Sequence, residues 1–119
     1  MADARSSTEI HDYHAHIYYD LDSRETAASL RQQIEREFVV EMGRWRDEPV
    51  GPHPRAMYQV KFVPPEFQRI VPWLMLNRAG LTILVHPNTG DAYQDHSQNE
   101  LWLGEKLKLR LDVLRKLSA

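Results

Sequence analysis

Cysteine is absent from this chain of 119 residues. Disulfide frameworks, thiolate metal sites and a cysteine nucleophile are therefore excluded. Also missing is any excess of positive charge: 15 lysines and arginines stand against 17 aspartates and glutamates. A nucleic-acid partner is accordingly not expected. No apolar run approaches the roughly 20 residues that cross a bilayer, and the opening MADARSSTEIHD has no apolar stretch of the kind a secretory signal needs. The expectations are a cytoplasmic location and no membrane partner. No repeat, low-complexity stretch or linker divides the sequence. Its length suits a single domain over residues 12–119, preceded by a flexible polar tail over residues 1–11.

What the chain does have is alternation, and histidine within it. YHAHIYY, residues 13–19, sets His14, His16 and Tyr18 on one face of a strand and Tyr13, Ala15, Ile17 and Tyr19 on the other. A helical segment follows, with Ala27, Leu30, Ile34 and Phe38 at helical spacing, Asp22 and Glu25 placed as a capping box, and Gly43 as its stop. RWRDEPVGPHP reads as a short edge strand running into a turn. RAMYQVKFV alternates Tyr58, Val60 and Phe62 against Met57, Gln59 and Lys61. Pro64 and Pro65 then open a second helix that carries Phe67, Ile70, Val71 and Leu74 on one side and ends at Gly80. LTILVH is another strand, with PNTG as the turn after it. DHSQNELWLG suggests one helical turn. KLKLRLDVL alternates leucine with lysine and arginine, which predicts a late strand packed on the sheet or across a dimer.

The order β-α-β-β-α-β with an extra C-terminal strand predicts an α+β, ferredoxin-like antiparallel sheet with both helices on one face. In that topology the first strand is central. Ala15, Ile17, Val60, Phe62, Ile83 and Val85 face the helices, while His14, His16, Tyr18, Gln59, Thr82, Leu84 and His86 face away. The strand ending at His86 runs antiparallel to the first, which brings His86 beside His14 and His16, at about 5 Å between facing Cβ atoms. Asp91, Asp95 and His96 follow on the next loop. Neutral imidazoles gathered in this way suit a divalent metal such as iron, zinc, copper or nickel. A His-x-His pair is equally what two polar side chains facing water look like. His53 falls in a turn at the far end of the first strand, unless a dimer partner brings it in, and His11 falls in the tail. Asp91 is also a turn residue, and Asp95 a helix cap.

YHAHIYY, PVGPHP, MYQVKF, VPWLMLNRAGLTILVHPNTGD, DH and LWLG, in this order and spacing, resemble the DOPA 4,5-dioxygenase family over about residues 12–111. The resemblance implies a ferredoxin-like fold, often dimeric, and extradiol cleavage of a catechol by dioxygen at non-haem Fe(II), an ion that zinc or another divalent metal can replace in a purified sample. Carried onto this chain, it implies His14, His16 and His86 as ligands, with His96 as a fourth ligand or acid–base group. A competing set exchanges one histidine for Asp91 or Asp95. Tyr18 and Gln59 are candidates to bond substrate oxygens, and Arg78 or Lys61 to meet a substrate carboxylate. The implied partners are the catechol, dioxygen and a second copy of the chain. The alternative function is a dimeric ferredoxin-like module that binds a small molecule without metal catalysis.

Overall fold

A computed structural model describes residues 3–118. The strands are β1 (Asp12–Tyr19), β2 (Glu41–Met42), β3 (Ala56–Phe62), β4 (Ile83–Asn88) and β5 (Leu101–Leu103). The helices are α1 (Arg24–Glu37), α2 (Pro64–Asn77), α3 (Ala92–Ser97) and α4 (Leu111–Ser118). Ahead of β1, Ser7–Glu9 form a single 3₁₀ turn in which the Ser6 hydroxyl accepts from the Thr8 amide. The five strands form one antiparallel sheet in the order β2-β3-β1-β4-β5, the ferredoxin-like arrangement with β1 at its centre. Among the described residues, no helix is long and apolar enough to cross a membrane.

Strict alternation decides what each strand buries, because successive side chains leave opposite faces. Ala15, Ile17, Tyr58, Val60, Ile83 and Val85 are almost wholly buried beneath Ala27, Leu30 and Ile34 of α1 and Ile70, Val71 and Leu74 of α2. Each fully buried aliphatic side chain of this kind contributes about 1.5–3 kcal/mol over its exposed state. Tyr13 and Phe38 pack at the margin of this core, and Tyr58 Oη donates to the Ala27 carbonyl at 2.8 Å, joining sheet to helix.

The opposite sheet face carries a second, smaller apolar cluster of Tyr18, Met57, Leu84 and Leu107, flanked by Trp102 and Leu109. This corrects the expected C-terminal strand. The sheet does gain a fifth strand, but at Leu101–Leu103, where one helical turn was expected. KLKLRLDVL instead crosses the sheet face as extended chain outside any strand and enters α4 at Leu111. Its alternation is real: Leu107 is buried while Lys106 and Lys108 are exposed. An extended segment laid over an apolar patch has the same two-residue period as a strand, without ladder hydrogen bonds.

Two boundaries also differ. Ser23, not Asp22, occupies the cap position of α1, and its hydroxyl and amide bond Asp20 at 2.9 Å. The helix stops at Phe38, well before Gly43, because Glu41 and Met42 are drawn into the edge strand β2 against Lys61 and Val60.

Leu74 is fully buried and Leu76, two residues on, is 87% exposed. Leu74→Ala should lower unfolding free energy by about 2–5 kcal/mol in urea titrations, while Leu76→Ala should stay within about 0.5 kcal/mol. Equal effects would contradict the orientation of α2.

Candidate metal centre

Register sets the first pair. His14 lies directly opposite His86 across β1 and β4, and His16 lies between Leu84 and Gln59. The three imidazoles share the face turned away from α1 and α2, with ring centroids 5.1 Å apart for His14–His86 and for His16–His86, and 5.6 Å for His14–His16. Nε2 of His16 is 3.0 Å from Nε2 of His86. The ring of His96, on α3, lies tilted by 40° with its centroid 3.9 Å from that of His86.

A fifth imidazole joins them. His53 was expected in a turn remote from the others, yet its ring stands 4.1 Å from that of His16. The loop ahead of β3 curls back over the sheet face, and the C-terminal segment holds it there: the Arg110 amide donates to the Pro52 carbonyl at 2.8 Å. His53 Nδ1 and the Tyr18 hydroxyl are 2.7 Å apart. The prolines of VGPHP marked a turn, but nothing local in them gave its direction. Two groups of three ring nitrogens, each mutually within 4.8 Å, result: His14, His16 and His86; and His16, His53 and His96.

Hydrogen bonding fixes which nitrogens are free. A carbonyl only accepts, so His86 Nδ1 donates to Pro87 O at 2.9 Å and His96 Nδ1 donates to Ala92 O at 2.7 Å. Both rings therefore present an Nε2 lone pair, the form in which imidazole binds a metal, and the backbone carbonyls supply the outer bond that orients such a ligand. His16 is 3% exposed, yet its Nδ1 has no partner. A buried polar atom left in this state costs about 1–3 kcal/mol. The protein's own hydrogen bonds thus account for Nε2 of this ring, which faces His86, and not for Nδ1, whereas a cation that accepts nitrogen lone pairs fits the donor set.

Burial holds all five rings in the neutral form. It pushes His53 down to about 4 and His86 down to about 3, with His96 and other neighbouring imidazoles adding to the effect. It also lowers His16 well below the usual histidine value, and lowers His14 and His96. Tyr18 is raised by burial and stays a phenol.

The remaining candidates are placed differently. Asp95 is buried, but its carboxylate accepts from the Thr89 amide and hydroxyl, each at 2.8 Å, and from Asn99. It ties the β4–α3 turn, where Gly90 adopts φ of 105°, to the helix that carries His96. Asp91 caps α3, accepting from the Gln94 amide. Neither belongs to the close groups of metal-capable atoms, which among the described residues are histidines alone. Arg78 donates to the Leu81 carbonyl at 2.9 Å, and Lys61 sits between Asp12 and Glu41. Gln59 and His53 line a cavity of 370 Å³, while His96 and Trp102 line another of 230 Å³. A third, of 410 Å³, reaches His86 from beside the N-terminal turn.

Comparison with known proteins places the chain among relatives. The profile of the Dopa 4,5-dioxygenase family matches residues 13–113. A crystal structure from Nostoc punctiforme, of a protein given only a provisional dioxygenase name, superposes with a TM-score of 0.95 at 53% identity, covering 97% of this chain and 100% of that one. An uncharacterised 21.2 kDa protein of Botryotinia fuckeliana is 38% identical over 122 residues, 95% of this chain and 66% of the relative. The DOPA 4,5-dioxygenase of Amanita muscaria is 35% identical over 114 residues, 87% of this chain and 50% of the relative. The chain thus spans about half to two thirds of the curated relatives it matches. This chain belongs to the Dopa 4,5-dioxygenase family.

The lowered histidines give the metal-free protein an acid sensitivity of definite sign. As pH falls through about 6.5, unfolded imidazoles take up protons that the folded ones refuse, so stability drops. The drop steepens below that value, each such ring contributing on the order of 1 kcal/mol per pH unit. The loss continues until pH reaches the folded values near 4 and 3. Carboxylates with lowered values, such as Asp47 and Glu66, matter only further down. Urea midpoints of metal-free protein should fall clearly between pH 7 and 5.5; a flat profile would contradict the buried cluster.

Proposed function

We propose that this member of the Dopa 4,5-dioxygenase family cleaves a catechol ring by extradiol reaction with dioxygen, with His14, His16 and His86 holding a non-haem ferrous ion. The observation that carries the reading is the convergence of neutral, desolvated imidazoles on one sheet face with no carboxylate among them to pair with. When bound, iron supplies the Lewis acidity and redox capacity that let a catechol react with dioxygen. Overall, one carbon–carbon bond beside the diol breaks, and both atoms of dioxygen enter the ring-opened acid and aldehyde.

The protein's own groups handle protons and position. A catechol must lose hydroxyl protons to become an electron-rich donor, and His96 Nε2, its lone pair fixed by the Nδ1 bond to Ala92, is suited to take one. His53 and Tyr18 form a second proton-holding pair. With the phenol donating, His53 carries its hydrogen on Nε2; with Nδ1 donating, Nε2 presents a lone pair. Gln59 is the residue we assign to bond a substrate oxygen, a role supported by its register opposite His16 and its place in the lining of the adjoining cavity. Trp102, Leu107 and Leu109 keep bulk water from the Tyr18 side of the cluster.

Protein purified without oxygen and loaded with Fe(II) should consume one dioxygen per catechol and yield a yellow semialdehyde. His14→Ala and His86→Ala should each lose bound iron and at least about 100-fold in oxygen uptake. His53→Gln should keep the iron and lose about 10²–10⁴-fold in turnover. Iron lost in His53→Gln but retained in His14→Ala would move the ion to the His16, His53 and His96 group. Activity without metal would refute the reading.

A further inference from the structure

The cavity beside His53 carries a charge pattern that the ring-cleavage chemistry does not require. After β2 the chain continues extended along β3: the Gly43 amide donates to the Gln59 carbonyl at 2.7 Å, and Arg46 and Met57 exchange two backbone bonds of 2.9 Å. At Gly43 the two chains run close, so that a Cβ there would lie 3.2 Å from the Gln59 Cβ, tighter than ordinary contact. Trp45 turns to the helix side, its ring 5.0 Å from Tyr58 and 5.2 Å from Tyr19, with the Arg24 guanidinium 4.1 Å from its centroid. Alternation then sends Arg44 and Arg46 to the other side. The bridge agrees, because residues paired directly across antiparallel strands share a face and Met57 belongs to the cluster on the histidine side. Both arginines line the 370 Å³ cavity together with His53, Met57 and Gln59.

Among the described residues, neither guanidinium forms an ion pair, and no carboxylate lines the cavity. The acids nearest in sequence are mostly engaged elsewhere: Glu41 with Lys61, and Asp47 with Arg24 and Tyr19. Glu48 is exposed and lies outside the lining. The two basic residues expected from the sequence to meet a carboxylate, Arg78 and Lys61, are committed to Leu81 and to Asp12 and Glu41. The cavity therefore runs from an imidazole, one ring away from His16, to a rim of two cations.

We infer that Arg44 and Arg46 bind the acid end of the substrate, so that the preferred catechol carries a carboxylate and no ammonium group. This inference rests on the ring-cleavage reading above. A planar guanidinium matches a carboxylate in two parallel hydrogen bonds. An ammonium on the same side chain would meet two like charges and no acid. With the diol end at the histidines, a substrate side chain would run past His53 toward this rim. Specificity here comes as much from repulsion of the wrong charge as from attraction of the right one.

Four catechols of one skeleton isolate the charge: 3-(3,4-dihydroxyphenyl)propionate, DOPA, 4-ethylcatechol and dopamine. With Fe(II)-loaded protein, kcat/KM should rank the propionate first and dopamine last, with the propionate about 10- to 100-fold above 4-ethylcatechol. In the Arg44→Met/Arg46→Met double variant that ratio should fall toward one, and in Arg44→Glu/Arg46→Glu dopamine should overtake the propionate. Arg36→Met, which removes one exposed charge on α1, should leave the ranking intact. A second arm needs neither turnover nor metal. Calorimetric titration of metal-free protein with 3-phenylpropionate should show salt-sensitive binding that the double methionine variant loses. Equal kcat/KM for the propionate and 4-ethylcatechol, or binding that survives in the double variant, would overturn the inference. Failure to cleave any catechol would instead refute the ring-cleavage reading and leave the titration to decide the carboxylate site.

Discussion

Five neutral imidazoles packed against one another on the face of a sheet are the constraint on which the rest of this molecule depends. Such rings gain little from mutual contact, and in charged form they would repel. Removing them from water holds them uncharged, and the backbone carbonyls of Pro87 and Ala92 aim the lone pairs of His86 and His96 outward from their own anchors. The cluster leaves His16 Nδ1 with no hydrogen-bond partner, a local cost that a cation accepting a nitrogen lone pair would offset, coupling metal affinity to folding.

Much of the remaining chain supports that face. β1 and β4 fix His14 and His86 by register, so their spacing is as rigid as the sheet. His96 rides on a six-residue helix held to the preceding turn by the buried Asp95 carboxylate. His53 rests on a loop clasped by the C-terminal segment, and that same segment contributes Leu107 to the small core under Tyr18, Met57 and Leu84. The ferredoxin-like sheet usually has one face covered by helices. Here the other is covered as well, by α3, the 52–53 turn and the extended segment that carries Leu107, with His16, His53 and His86 buried between these parts and His14 and His96 half-buried. The carboxylates near the centre act structurally in this arrangement, which leaves a donor set made of histidine nitrogens.

Those features that depend on local alternation were legible in the sequence. YHAHIYY, MYQVKF and LTILVH each declare two faces, and antiparallel topology alone brings His86 opposite His14. The helix-facing core of Ala15, Ile17, Val60, Phe62, Ile83 and Val85 follows from the same pattern. Features that depend on contacts between distant segments were not legible. The direction in which the Pro52–His53 turn folds is set by an amide at residue 110, so His53 gives no local sign of joining the cluster. KLKLRLDVL has the period of a strand because it is extended over leucine and methionine, and no period distinguishes that from pairing in a sheet. At Val39–Met42 the pull of an edge partner ended α1 earlier than the spacing of Phe38 and Gly43 suggested. The arginines at 44 and 46 were legible as charges but not as cavity lining, since that required knowing that Trp45 turns toward the helices.

Anomalous scattering at the iron edge, from crystals of Fe(II)-loaded protein, reports whether rings on neighbouring strands close on a single ion. One strong peak is expected on the sheet face, within bonding distance of ring nitrogens of His14, His16 and His86. No peak among the histidines, or iron bound only at surface carboxylates while those rings stay unligated, would contradict it.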